Sequence, residues 1–297
     1  MRPISDNTRG ALLMMGSMAG FTLNDACMKL VLIEVPFYQA ILMRGIGTIF
    51  MLVLIARWLG GLNFKMGRQD WGLVLLRSAT EIGATYFFLT ALSQMPIGNV
   101  TAILQVLPLT VTLTAAILFG DRLGWRRLLA IMIGFVGVMI IVRPDADGFN
   151  EYALFALIAV GFVTVRDLAA RRLSQHVSSI TASLVSAIGI TGFAAIGMSG
   201  SEWVAVDGQH VALLAGATLF IMCGYLFSVM TMRVGEISFI APFRYTSLLW
   251  ALLLGFVVFG DWPDALTMLG IAIVVLMGVF TFYRERRIAE QGKAAAG

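Results

Sequence analysis

Eight ionisable side chains stand inside long apolar stretches of this 297-residue chain: Asp25, Lys29, Arg44, Arg77, Glu81, Arg166, Asp167 and Arg244. A charge placed in hydrocarbon is disfavoured by at least about 2.5–3.5 kcal/mol on insertion scales. Such residues persist where they pair, reach an aqueous surface or line a wet cavity. Five are basic and three acidic, so complete mutual pairing leaves two positive charges. A guanidinium offers a planar fork that matches a carboxylate or phosphate. The surplus predicts that Arg44 and Arg244, with Arg77 or Arg166, bind an acidic solute. The competing arrangement has the same arginines closing salt bridges with Asp25, Glu81 and Asp167, as gates or braces.

Spacing suggests local pairs. Asp25 and Lys29 are four residues apart, as are Arg77 and Glu81, so each pair shares one helix face if closed. Arg166 and Asp167 are adjacent and point about 100° apart, so they are not expected to share a face. Arg44 and Arg244 have no local partner. Lys29 lies nearest a segment end and can snorkel outward. Asp25 and Glu81 are the candidate carriers of a coupled proton, with Lys29 and Asp167 as coupling or gating partners. Asn24, Gln105 and Tyr245 are neutral polar residues that would complete a lining. Pro108 and Pro242 remove backbone donors and interrupt their helices, which points toward a binding site.

The elements that carry these residues follow from composition. Apolar residues make up 59% of the chain and charged residues 13%, with a mean hydropathy of +0.88. Ordinary soluble domains carry about 25% charged residues. These values exclude a water-soluble globule, a disordered chain and a disulfide scaffold. Apolar segments fall at about 10–32, 36–57, 71–92, 97–119, 125–142, 152–171, 178–199, 210–232, 237–259 and 265–283. Each approaches the roughly 20 residues that a spanning helix needs. None alternates with period two, so the expectation is an all-α integral membrane protein with ten transmembrane helices.

Orientation follows from the bases. With the N-terminus in the cytoplasm, fifteen Lys and Arg fall in cytoplasmic segments and Arg143 alone falls outside. That bias puts both the N- and C-termini in the cytoplasm, in a multi-pass protein of the cell (inner or plasma) membrane. The outer loops are acidic, with Glu34, Asp145, Asp147, Glu151, Glu202, Asp207, Asp261 and Asp264. The first apolar run continues through Asn24-Asp25 without a small-x-small cleavage site, so it reads as a permanent helix. Cys27 and Cys223 have no metal or redox spacing and read as packing residues.

The chain also repeats. Phe119-Gly120-Asp121 ends the fourth segment and Phe259-Gly260-Asp261 the ninth; Gly20-Phe21 and Gly161-Phe162 recur at nearly the same offset. Each half, 1–145 and 146–297, holds five segments. Five is odd, so the second half enters from the opposite side, as two inverted five-helix repeats.

On these features the chain resembles the EamA family of the drug/metabolite transporter superfamily. The resemblance covers about 10–142 and 152–284. It rests on the paired five-segment halves, the Leu-Phe-Gly-Asp-Arg and Val-Phe-Gly-Asp-Trp ends at 118–122 and 258–262, and Arg44 in the second segment. The family more often has Glu after that glycine; both copies here are Asp. The resemblance implies alternating access by two pseudo-symmetric halves around a central cavity.

Residues and resemblance together predict a secondary active transporter for a small organic anion or carboxylate-bearing zwitterion, of the metabolite or amino-acid class, with proton or exchange coupling. An exporter of cationic or amphipathic drugs and metabolites is the alternative, as is a passive facilitator. No enzyme constellation, phosphate loop, metal set or nucleic-acid face is visible, and no cofactor is expected. The partners expected are the solute and the bilayer, with the chain a monomer or homodimer.

Overall fold

The computed structural model describes residues 6–58, 62–120, 124–143, 151–174, 176–231, 234 and 237–296. Asp121, Arg122, Asp145, Asp147, Arg233 and the division expected at 145/146 lie outside the described residues. Among those described, the secondary structure is helical throughout. The elements are α1 (Asp6–Val31), α2 (Phe37–Trp58), α3 (Arg68–Gln94), α4 (Ile97–Leu104), α5 (Leu107–Phe119), α6 (Trp125–Val142), α7 (Tyr152–Arg172), α8 (Ser179–Met198), α9 (Gly208–Thr231), α10 (Ile237–Ile240), a 3-10 turn (Ala241–Tyr245), α11 (Thr246–Phe259) and α12 (Ala265–Ala296).

Among the described residues, eight segments are long and apolar enough to cross a membrane, with α4–α5 counting as one and the 3-10 turn joining α11. The long helices α1 and α3 fall outside that set. They are the ones that carry Asp25 and Lys29, and Arg77 and Glu81.

Two of the expected segments are interrupted near their prolines. The segment over 97–119 divides after Leu104, because Pro108 supplies no N–H to the Leu104 carbonyl. Pro108 therefore stands in the first turn of α5, where the missing donor costs nothing, and is not a mid-helix kink. The segment over 237–259 divides around Pro242, which sits in the 3-10 turn before α11. The repeated Phe-Gly pair is a helix stop. Gly120 (φ 72°) and Gly260 (φ 69°) are left-handed and end α5 and α11, a conformation that favours glycine.

Helix starts at 68, 97 and 125 recur at 208, 237 and 265, and ends at 58 and 119 recur at 198 and 259. The chain nonetheless folds into two compact units that do not follow its halves. The first holds 1–22, 95–154 and 223–297; the second holds 23–94 and 155–222.

In the first unit α6 lies along α12 and α4 against α11. A Cβ built on Gly270 would stand 2.7 Å from the Gly137 carbonyl oxygen, so both helices need glycine where they cross. Ser17 donates to the Gly224 carbonyl (2.8 Å). The Gly16 seat in α1 takes the Phe227 ring, which makes the small-residue spacing there internal packing. Arg143, the one base expected outside, bonds Asp264 and Thr267 at the start of α12.

In the second unit α8 packs on both α2 and α3. Gln39 is fully buried and exchanges two hydrogen bonds with the Val204 backbone, at 2.6 and 3.0 Å. Threonine hydroxyls turn back on the carbonyl four residues earlier at Thr48, Thr90, Thr164, Thr191 and Thr218. That bond satisfies a hydroxyl without water. Large apolar side chains face outward in number, among them Ile46, Phe50, Leu75, Ile117, Val136, Ile196, Val257 and Leu276. That surface suits hydrocarbon.

Candidate substrate site

The second unit carries eight of the predicted residues: Asn24, Asp25, Lys29, Arg44, Arg77, Glu81, Arg166 and Asp167. The first carries Gln105, Pro108, Pro242, Arg244 and Tyr245.

Arg44 stands in the first half of α2 and is 9% exposed. Its Nη1 donates to Asn24 Oδ1 (3.3 Å), and Asn24 Nδ2 donates to Asp25 Oδ1 (2.9 Å). A guanidinium, an amide and a carboxylate thus form one chain between α2 and the end of α1. Next to Arg44, a Cβ on Gly45 would stand 2.3 Å from Thr191 Oγ1, so α2 and α8 meet closely beside the cation.

The expected i, i+4 pair of Arg77 and Glu81 is not formed. Glu81 instead accepts from Arg166 Nη1, at 3.1 and 3.3 Å to its two oxygens. Arg166 also meets Asp167, through Nε (2.9 Å) and Nη2 (2.8 Å) to Oδ1. Adjacent residues do not share a helix face, yet the two side chains meet. The Arg166 side chain is long enough to fold back along α7 and reach its neighbour while still spanning to α3. One guanidinium therefore serves two carboxylates.

Arg77 Nη1 donates to Ser186 Oγ (3.1 Å) on α8. Lys29 Nζ donates to the Leu92 carbonyl (2.7 Å), one of the last four carbonyls of α3, which have no helical donor. Outward along the unit stands an aromatic cluster. Phe37, Tyr38, Tyr86 and Phe193 meet edge to face, and Phe87 stacks on Phe162 at 5.6 Å. Gly83 and Gly197 seat the rings of Phe162 and Tyr38 against their helices.

In the first unit the two interrupted helices join at their interruptions. Gln105 Nε2 donates to Ser247 Oγ (3.1 Å) and to the Tyr245 carbonyl (3.4 Å), which lies 140 residues on. Gln105 and Tyr245 occupy matching places in the recurring helix pattern. The Tyr245 ring is buried beside Gly278, and its hydroxyl has no hydrogen-bond partner among the described residues. The Arg244 side chain is exposed.

Reading only ionisable residues missed several polar partners. Ser186, Ser247 and Gln39 are neutral and short on sequence signal; a search for polar residues at helix faces shared with Arg77 or Gln105 would have raised them. It also missed a cluster at the N-terminus of α9. His210 Nδ1 lies 2.7 Å from Asp207 Oδ1, and Nε2 lies 3.4 Å from Glu34 Oε2. The His210 backbone N–H donates to Asp207 and lowers its carboxyl pKa. No group of three metal-ligating side chains is present among the described residues.

Comparison with known proteins adds the family. The EamA-like transporter family matches residues 8–143. A riboflavin transporter of Vibrio cholerae is 30% identical over 237 residues, covering 77% of this chain and 80% of that protein. The chain belongs to the EamA-like transporter family. It is a multi-pass membrane protein. Other relatives are an S-adenosylmethionine uptake transporter of Rickettsia bellii (25% identical, 66% of this chain and 67% of that protein) and a pseudopaline exporter of Pseudomonas aeruginosa (23% identical, 90% and 93%). A solved crystal structure shares the fold, with a TM-score of 0.67 at 17% identity over 94% of this chain and 98% of that one.

Proposed function

We propose that this transporter moves a small organic anion, or a zwitterion bearing a carboxylate, by alternating access and without catalysis. Ten helices cross the bilayer. They are the eight apolar segments together with α1 and α3, whose charges are met by Asn24, the Leu92 carbonyl, Arg166 and Ser186. Both termini are cytoplasmic. The halves 1–145 and 146–297 are inverted repeats, and the recurrence of helix bounds supports this. Each compact unit draws on both halves, as expected when two repeats exchange elements.

The observation that carries the proposal is Arg44. It is a buried cation that donates to the Asn24 amide, in a helix otherwise apolar through its middle. Burying a guanidinium there is disfavoured unless function keeps it. Arg44 and Asn24 receive the anionic group of the solute, with Asp25 as the site of proton coupling. In the first unit taken by itself, Gln105, Tyr245 and Arg244 are the candidate solute contacts. Arg166, held by Glu81 and Asp167, acts as a brace. Relatives include a named uptake transporter and a named exporter, so the shared fold serves either direction.

The test begins with thermal stabilisation of the purified protein by metabolite anions and cations, since stabilisation grows with concentration over Kd. Stabilising solutes are then taken to reconstituted vesicles. Arg44→Gln should abolish uptake and counterflow of an anion while the protein stays monodisperse; Arg44→Lys should retain part. Undiminished anion flux in an Arg44→Gln, Arg244→Gln double variant overturns the proposal. Flux lost instead on Asp25→Asn, with cations as the stabilising solutes, assigns a cation transporter. Flux without saturation or counterflow assigns a passive facilitator.

A further inference from the structure

We infer a second anion site, for a phosphate group, in the second unit where α7 gives way to α8. A cavity of about 410 Å³ opens there, lined by Arg77, Ser174, Val177, Ser179 and Ser183 with small apolar neighbours. Among the described residues, Arg77 is the one charged group that lines it. Only one of the five guanidinium N–H donors is engaged, by Ser186 among the described residues. The carboxylate one turn along α3, Glu81, is taken by Arg166. Asp70 is taken by Ser174, whose N–H and hydroxyl both donate to it, at 3.1 and 2.8 Å. Arg77 is therefore a half-buried cation facing a hollow, with the nearby acids on its own helix turned to other partners.

Three features of the walls favour a tetrahedral oxyanion over a planar carboxylate. Ser179 and Ser183 are four residues apart on α8 and present hydroxyls on the same wall. Neither hydroxyl is hydrogen-bonded among the described residues. The first turn of α8 ends at the cavity, and its N-cap Ser178 makes no side-chain cap, which leaves the N–H groups of that turn open. Donors are thus offered by two helices: the Arg77 guanidinium of α3, and the two hydroxyls and first-turn N–H groups of α8. A phosphate has enough acceptor oxygens to meet all of them. Phosphate chemistry has two sources here, a free phosphate or phosphomonoester and the headgroup of an anionic phospholipid. This site does not depend on the transport proposal, because binding is read without solute flux.

The test uses the purified full-length protein in two arms. In detergent, inorganic phosphate is titrated by calorimetry against wild type, Arg77→Gln and a Ser179→Ala, Ser183→Ala double variant. In nanodiscs of phosphatidylcholine with or without phosphatidylglycerol, co-purifying lipid is read by native mass spectrometry. Saturable phosphate binding weakened tenfold or more in Arg77→Gln, and weakened in the serine variant, supports a free-phosphate site. Retention of phosphatidylglycerol by wild type, lost in both variants, supports a headgroup site. Should Arg77→Gln fail to fold, the serine variant alone decides. No binding in either arm, or binding unchanged in the variants, overturns the inference.

Discussion

The two carboxylates that share Arg166 make a quantitative prediction. At 3.1 Å and an effective dielectric of about 20, the Glu81–Arg166 attraction is about 5 kcal/mol before desolvation. The groups are 13% and 25% exposed, and desolvation offsets much of that sum. Asp167 lies at 2.8 Å from the same guanidinium, so losing Glu81 alone does not orphan the cation. Glu81→Gln should therefore cost about 1–2 kcal/mol, and Asp167→Asn about the same. Removing both strips the part-buried guanidinium of these two carboxylates, which costs about 3–5 kcal/mol or more. The double variant should thus be less stable than the sum of the singles by about 1–2 kcal/mol. Replacing Arg166 with Met in that double background should recover most of the loss. Unfolding free energies in mixed SDS micelles, followed by tryptophan fluorescence, give the cycle. Strict additivity, or no recovery on removing Arg166, refutes the shared-cation account.

Three further outcomes follow from the first unit. Gly270→Ala meets the Gly137 backbone oxygen and should cost about 1–3 kcal/mol. Gly134→Ala meets only the tip of the Leu109 side chain and should cost less in the same assay. Tyr245→Phe removes a buried hydroxyl that has no hydrogen-bond partner among the described residues and should leave stability unchanged or raise it by about 1 kcal/mol. If the variant loses transport while gaining stability, the hydroxyl meets solute. The Arg143 side chain beside Asp264 holds that carboxyl below the usual range, at about 2. A depressed folded-state pKa contributes stability that is present above about pH 4 and lost as the pH falls toward 2. The pair is largely exposed, so the contribution is no more than about 1 kcal/mol. A pH titration of thermal stability in wild type and Asp264→Asn should diverge above pH 4 and converge below it.

The sequence alone determined the membrane class, the segment limits and the stops, because each depends on a few contiguous residues. An apolar length, a Phe-Gly pair or a proline acts through local backbone chemistry wherever the chain goes. Hence the Gly120 and Gly260 caps and the interruptions near Pro108 and Pro242 lay close to where the pattern put them. It also identified which charges lie within apolar segments. Only the tertiary structure decided what each charge meets. Arg77 and Glu81 satisfy helix spacing yet turn to Ser186 and Arg166, and adjacent Arg166 and Asp167 violate it yet join. A long guanidinium reaches several helices, and its partner is chosen by which helix lies opposite. The grouping of segments from both halves into each compact unit was likewise invisible in linear order, since packing joins faces that lie more than a hundred residues apart.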